Sequence, residues 1–223
     1  MTRRGLDALG DSITNGHGEP ALGVPMQSWA QWLAEALDLP FTKLARDGAR
    51  VAELRRDLLP RVAGPYDVGC LFIGANDARA SDWEPRGFEA DVRAILAVLA
   101  EACERLLVCT VPADLGRPRA GASARQATAI LRAAAADHGA AVVELEDLSG
   151  LRWVLPDAVH PNAIGQLEIA DRAARVAGAP RVPSSLIEVY ASRRARARFG
   201  ARCAVLLARD LRRRAVERVR APG

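Results

Sequence analysis

The chain has 223 residues and a formal net charge of +4, with half of its residues apolar and about a quarter charged. That length suits one domain with an appendage or two small domains, and the composition excludes a mainly disordered chain. No apolar run approaches the roughly 20 residues of a membrane span. Only Arg3 and Arg4 precede a short apolar stretch that already contains Asp7, so a cytoplasmic location is the expectation.

From Leu6 to about Leu145 short apolar runs alternate with longer amphipathic segments, the pattern of a parallel sheet wrapped by helices. The first predicted strand, Leu6–Leu9, leads into Gly10-Asp11-Ser12-Ile13-Thr14, which sets a serine on a strand-to-helix turn. A helix over Met26–Leu37 places Trp29, Trp32, Leu33 and Ala36 at spacings of three and four, a face made for packing. The second strand, Phe41–Ala45, ends at Arg46-Asp47-Gly48, and the third, Asp67–Ile73, ends at Gly74-Ala75-Asn76-Asp77. Phe88–Cys103 repeats the helical spacing with Val92, Ile95, Leu96 and Leu99, and Arg105–Val111 is the fourth strand. An Ala-rich helix over Ser123–His138 precedes the fifth strand, Ala140–Leu145. A long loop then carries Asp157-Ala158-Val159-His160-Pro161, and a last core helix runs over Asn162–Val176 with Pro161 suited to its first turn.

Ala177–Pro183, with Gly178, Pro180 and Pro183, reads as a boundary between a domain over 1–180 and an Arg-rich, helical extension over 181–223. Residues 181–223 hold twelve arginines against Glu188, Asp210 and Glu217, or +9, which leaves the other 180 residues at −5. Lys43 is the only lysine. Cys70, Cys103, Cys109 and Cys203 lack metal-ligand spacing and are read as reduced and structural.

Four polar spots need a common location. In a doubly wound sheet of order 2-1-3-4-5, strand one lies between strands two and three, and ligands bind outside the carboxyl ends at that switch point. Ser12, Gly48 and Asn76 follow those three strands and should converge, although 64 positions separate the first from the last. The loop from Glu146 to His160 is long enough to bring the imidazole back to the serine. A serine hydroxyl needs a base to take its proton, which His160 supplies, and Asp157 can accept the other ring N–H and fix the tautomer. The backbone N–H groups of Ser12 and Gly48 and the side-chain amide of Asn76 are the expected oxyanion donors, with Gly48 letting its backbone approach the substrate. The set is what acyl transfer requires. Taken singly, Ser12 would equally be a helix N-cap, and Asp157, Asn76 and Asp77 loop formers. His17 is read as an exposed loop residue, His138 as a helix-end residue, and Asp77 as a brace of its loop. The Gly-x-Ser-x-Gly elbow is absent because Thr14 replaces the second glycine.

These blocks resemble those of the SGNH hydrolases, also called GDSL-type lipases and esterases. Gly10 to Thr14 resembles the first block, with Asp11 beside the Ser12 nucleophile. Gly48 stands for the second block, although Ala45-Arg46-Asp47 occupies the stretch where an asparagine is usual. Gly74 to Asp77 matches Gly-x-Asn-Asp, and Asp157 to Pro161 matches Asp-x-x-His-Pro. The resemblance spans residues 5 to about 177. It implies a three-layer α/β/α, flavodoxin-like fold with a five-stranded parallel sheet of order 2-1-3-4-5, no metal or organic cofactor, and a serine esterase acting on a small-molecule ester. An acyltransferase using the same residues, or a non-catalytic binding protein, are the alternatives. For the Arg-rich extension, a solvated helix packed on the body comes first, then contact with an anionic membrane surface through Leu206, Leu207 and Leu211, and nucleic acid last for want of aromatics.

Overall fold

The structure, a computed structural model, describes residues 4–116, 118–187 and 193–220. Five strands, β1 (Leu6–Gly10), β2 (Phe41–Ala45), β3 (Tyr66–Phe72), β4 (Cys103–Cys109) and β5 (Ala141–Val143), form one all-parallel sheet of order β2-β1-β3-β4-β5. This is the predicted order. β1 is buried along its whole length, as the centre of a sheet covered on both faces must be.

The helices fall into two layers. On one side α2 (Trp29–Leu37) packs against α7 (Ala163–Val176), and on the other α5 (Pro85–Ala102) packs against α6 (Ala122–Asp137). Apolar spacing selects their inner faces: Trp29, Trp32 and Leu33 on α2, and Phe88, Val92, Ile95 and Leu99 on α5, are buried. α2 starts at Trp29, later than the predicted Met26, because the Ser28 hydroxyl accepts from the Ala30 N–H and caps it there. α5 starts earlier than predicted, at Pro85, whose missing N–H costs nothing at a first helical position, with the Glu84 carboxylate as cap. β3 and β4 each lie one or two residues nearer the N-terminus than expected, and β5 is shorter.

The sequence pattern assigned no element to 51–61. There the chain runs through one α-helical turn, α3 (Val51–Glu53), a π-helical turn (Leu54–Leu58) and a 3-10 turn (Leu59–Arg61), and buries Val51, Leu54, Leu58 and Leu59. Two very short helices, α1 (Ser12–Asn15) and α4 (Ala75–Ala78), sit directly after β1 and β3. Beyond α7 and a 3-10 turn at Pro183–Leu186 comes α8 (Arg193–Arg220). It rests on the body through the half-buried Phe199, an ion pair from Arg202 to Glu19, and the Cys203 thiol, which donates to the Leu151 carbonyl at 3.5 Å. Within the predicted extension, residues 188–192 and 221–223 and the side chains of Ala195, Asp210 and 213–220, which include Arg213 and Arg214, lie outside the described residues.

The register positions the site. Gly10 is paired with Ala45 on β2 and with Phe72 on β3, so three chains leave the sheet at the same level and their loops share one edge.

Candidate active site

Asp11 sits in extended backbone and its carboxylate accepts from the Ile13 N–H at 2.9 Å, making it the N-cap of α1. Ser12 is therefore the first helical residue and not the cap, so its hydroxyl is spared the capping bond. It donates instead to His160 Nε2 at 2.9 Å. The other ring nitrogen, Nδ1, lies 2.6 Å from Asp157 Oδ2. A carboxylate only accepts, so Nδ1 carries the proton and Nε2 has its lone pair toward Ser12. The three side chains stand in hydrogen-bonding order across 148 residues of sequence.

The loop that carries Asp157 and His160 is built locally. Val154 and Pro161 form an antiparallel bridge, the Leu155 N–H donates to the His160 carbonyl at 2.8 Å, and Ala158 takes a left-handed φ of 55° at the tip. Asp157 Oδ1 accepts from the N–H groups of Val159 and His160 at 2.9 and 3.1 Å. Burial pushes the Asp157 carboxyl up, but the bonds from the His160 ring and these two N–H groups outweigh it, and the net shift is downward.

Asn76, on α4, donates from Nδ2 to the Ala49 carbonyl at 3.0 Å and more distantly, at 3.4 Å, to Asp11 Oδ2. Asp77 Oδ1 accepts from the Val51 N–H at 3.1 Å. Both bonds tie the loop after β3 to the loop after β2. Gly74 has a φ of 111°, and a Cβ there would stand 3.0 Å from the Phe88 ring, so this bend requires glycine. Gly48 is different: its φ of 73° calls for glycine, while a Cβ would meet nothing within 4 Å. Glycine is present for the turn, and the space before it is open. Burial raises the carboxyl of Asp11 to about 7, against the Ile13 N–H bond, and that of Asp77 to about 6, against the Val51 N–H bond.

His17, set aside by the sequence reading, has its ring centroid 4.5 Å from that of His160 at an interplanar angle of 44°. Its distance from His160 in sequence hid this contact; only the helix-ending Gly16 in its left-handed turn hinted that the chain doubles back. His138 caps the end of α6, with Nδ1 2.8 Å from the Ala134 carbonyl. Among the described residues no group of three or more His, Cys, Asp or Glu side chains is placed to hold a metal ion.

Residues 8–167 match the model of the GDSL-like lipase/acylhydrolase family. No curated protein matches the chain significantly. Similar solved structures include a variant of Axe2, an acetyl xylan esterase from Geobacillus stearothermophilus, at 18% identity and a TM-score of 0.62, covering 80% of this chain and 96% of that one. Another is LAE5, an α/β hydrolase from the metagenome of Lake Arreo in Spain, at 19% identity and a TM-score of 0.60, again covering 80% of this chain and 96% of that one. At such identities the likeness is one of fold.

Proposed function

Because this chain belongs to the GDSL-like lipase/acylhydrolase family and is a carboxylic ester hydrolase, we propose that Ser12 is its nucleophile, His160 its general base and acid, and Asp157 the orienting carboxylate. The observation that carries this assignment is the unbroken chain from Ser12 Oγ through both ring nitrogens of His160 to Asp157. Ser12 Oγ attacks the ester carbonyl carbon as its proton passes to His160 Nε2. The resulting oxyanion is met by the N–H groups of Ser12 and Gly48 and by the Asn76 Nδ2 hydrogen that otherwise makes only the long 3.4 Å contact with Asp11. Collapse breaks the bond to the alkoxy oxygen, which leaves with the proton from His160. Water then attacks the acyl-Ser12 ester by the same route in reverse roles and releases the acid. Asp157 stabilises the imidazolium formed in each half-reaction.

We propose a short acyl group on a hydroxylated partner, a reading supported by the names of the acetyl xylan esterases among the similar folds. A fluorophosphonate should add one label that Ser12→Ala removes, and p-nitrophenyl acetate should turn over faster than longer acyl esters. An unlabelled wild-type protein defeats the nucleophile assignment. Equal or better turnover of long chains defeats only the short-acyl reading.

A peripheral membrane contact is a separate proposal. Val205, Leu207 and Leu211 on α8 are each more than half exposed beside Arg209 and Arg212, a mixture suited to anionic lipid. No helix among the described residues is long and apolar enough to cross a membrane. Sedimentation with phosphatidylglycerol-containing vesicles, lost on paired Leu207→Ser and Leu211→Ser substitution, would support it. No binding, or binding that ignores those substitutions, would refute it.

A further inference from the structure

The contact between the two imidazoles is held from several directions. The His17 N–H donates to the Ser12 carbonyl at 2.9 Å, just after Gly16 has ended α1 with a φ of 93°. The next residue, Gly18, lies so close to the far loop that a Cβ would stand 2.3 Å from the Pro161 carbonyl oxygen. The Ala163 N–H donates to the Glu19 carbonyl at 2.9 Å. Segment 17–19 is thus pressed along segment 160–163, and the ring contact follows from the backbone arrangement.

On its other side His17 Nδ1 lies 3.8 Å from Asp47 Oδ2, and Asp47 Oδ1 accepts from Asn15 Nδ2 at 2.9 Å. Asp47 immediately precedes Gly48. The side chains of His17 and Asp47 are both more than half exposed, so their attraction is screened, and the ring contact is the firmer of the two ties.

His160 needs such a support. Its bonds to Ser12 and Asp157 hold the ring only at its two nitrogens. Rotation about the His160 side-chain bonds carries Nε2 out of line with Ser12 Oγ before attack, and out of line with the attacking water once Ser12 has become an ester. A neighbouring ring opposes the motion.

We propose that His17 is a positioning residue for ester hydrolysis, its ring packed against His160 so that the imidazole stays aligned with Ser12 Oγ and Asp157, and its tie to Asp47 coupling that alignment to the Gly48 loop. The proposal rests on the assignment of Ser12 and His160 given above. It makes packing, and not proton transfer, the duty of His17, so phenylalanine should replace it and alanine should not.

The test uses the full-length protein, with kcat and KM for p-nitrophenyl acetate and the rate of fluorophosphonate labelling measured on each variant. His17→Ala should lower kcat by about tenfold, as a small misplacement of a catalytic group does, with KM held within about twofold and labelling slowed in parallel. His17→Phe should return kcat to within about threefold of wild type, and Asp47→Asn should give a smaller loss of about threefold. Wild-type kcat in His17→Ala, or His17→Phe as slow as His17→Ala, overturns the packing role. A rise in KM with kcat preserved overturns it too, by making His17 a substrate contact. Wild-type kcat in Asp47→Asn overturns the coupling to the Gly48 loop. Failure of the wild-type protein to label or turn over would instead strike the Ser12 and His160 assignment.

Discussion

The side-chain amide of Asn76 donates to the main-chain carbonyl of Ala49 at 3.0 Å. One residue on α4, just after β3, thereby holds the loop after β2 in place, next to the glycine proposed to donate to the oxyanion. Asn76 has two tasks in this arrangement, which alanine would end together.

Asn76→Ala should therefore lower kcat by on the order of 10²–10³, or about 2.7–4 kcal/mol, as the loss of an oxyanion donor does. Steady-state turnover of p-nitrophenyl acetate reads this directly. A loss below about threefold would remove Asn76 from the oxyanion site.

Asp157→Asn should lower kcat by on the order of 10³–10⁴, because an amide no longer fixes the Nδ1–H tautomer or stabilises the imidazolium. The Asp157 carboxyl is held below its ordinary 3.8, so it stays ionised from about pH 4 upward. Turnover of the wild-type protein should show no loss from this group above that pH, which a pH–rate profile would check.

Asp7 lies wholly buried in β1 with neither carboxylate oxygen hydrogen-bonded. Burial raises its pKa from an ordinary 3.8 to about 6, against a smaller downward pull from the neighbouring Ala8 N–H, which makes no hydrogen bond to the carboxylate. The folded protein then binds this proton more tightly than the unfolded chain, so its contribution to stability declines as pH rises from about 4 to about 6. Asp7→Asn should flatten that decline and gain about 1–3 kcal/mol near pH 8, with little gain near pH 4. Urea unfolding at the two pH values measures it.

Gly165, in the first turn of α7, has no room for a side chain. A Cβ would stand 2.0 Å from the Trp153 carbonyl oxygen and 2.9 Å from Pro161 Cβ. Gly165→Ala should destabilise the protein by about 1–3 kcal/mol and lower kcat as well, since the displaced backbone leads into the Asp157 and His160 loop. Thermal unfolding and turnover on the same sample would show both.

Much of the architecture was legible because each element advertised itself locally. Phe41–Ala45 reads as a strand and is one, and the alternation of apolar runs with amphipathic segments gives the parallel sheet. Segment 51–61 was not legible, since its three helical turns each last only three to five residues and are fixed by the burial of Val51, Leu54, Leu58 and Leu59. In the sequence Asp7 shows only as a charge within the first apolar stretch, and the structure makes it a buried acid with neither carboxylate oxygen hydrogen-bonded.

By itself the sequence determined which residues are candidates for the chemistry and which strands they follow, because residue type and strand-end position are local properties of the chain. Tertiary structure alone decided the meeting of the Ser12 hydroxyl with His160 and of the His17 and His160 rings. Those contacts depend on how loops 143 residues or more apart settle against one another, and no local pattern encodes a distance between them.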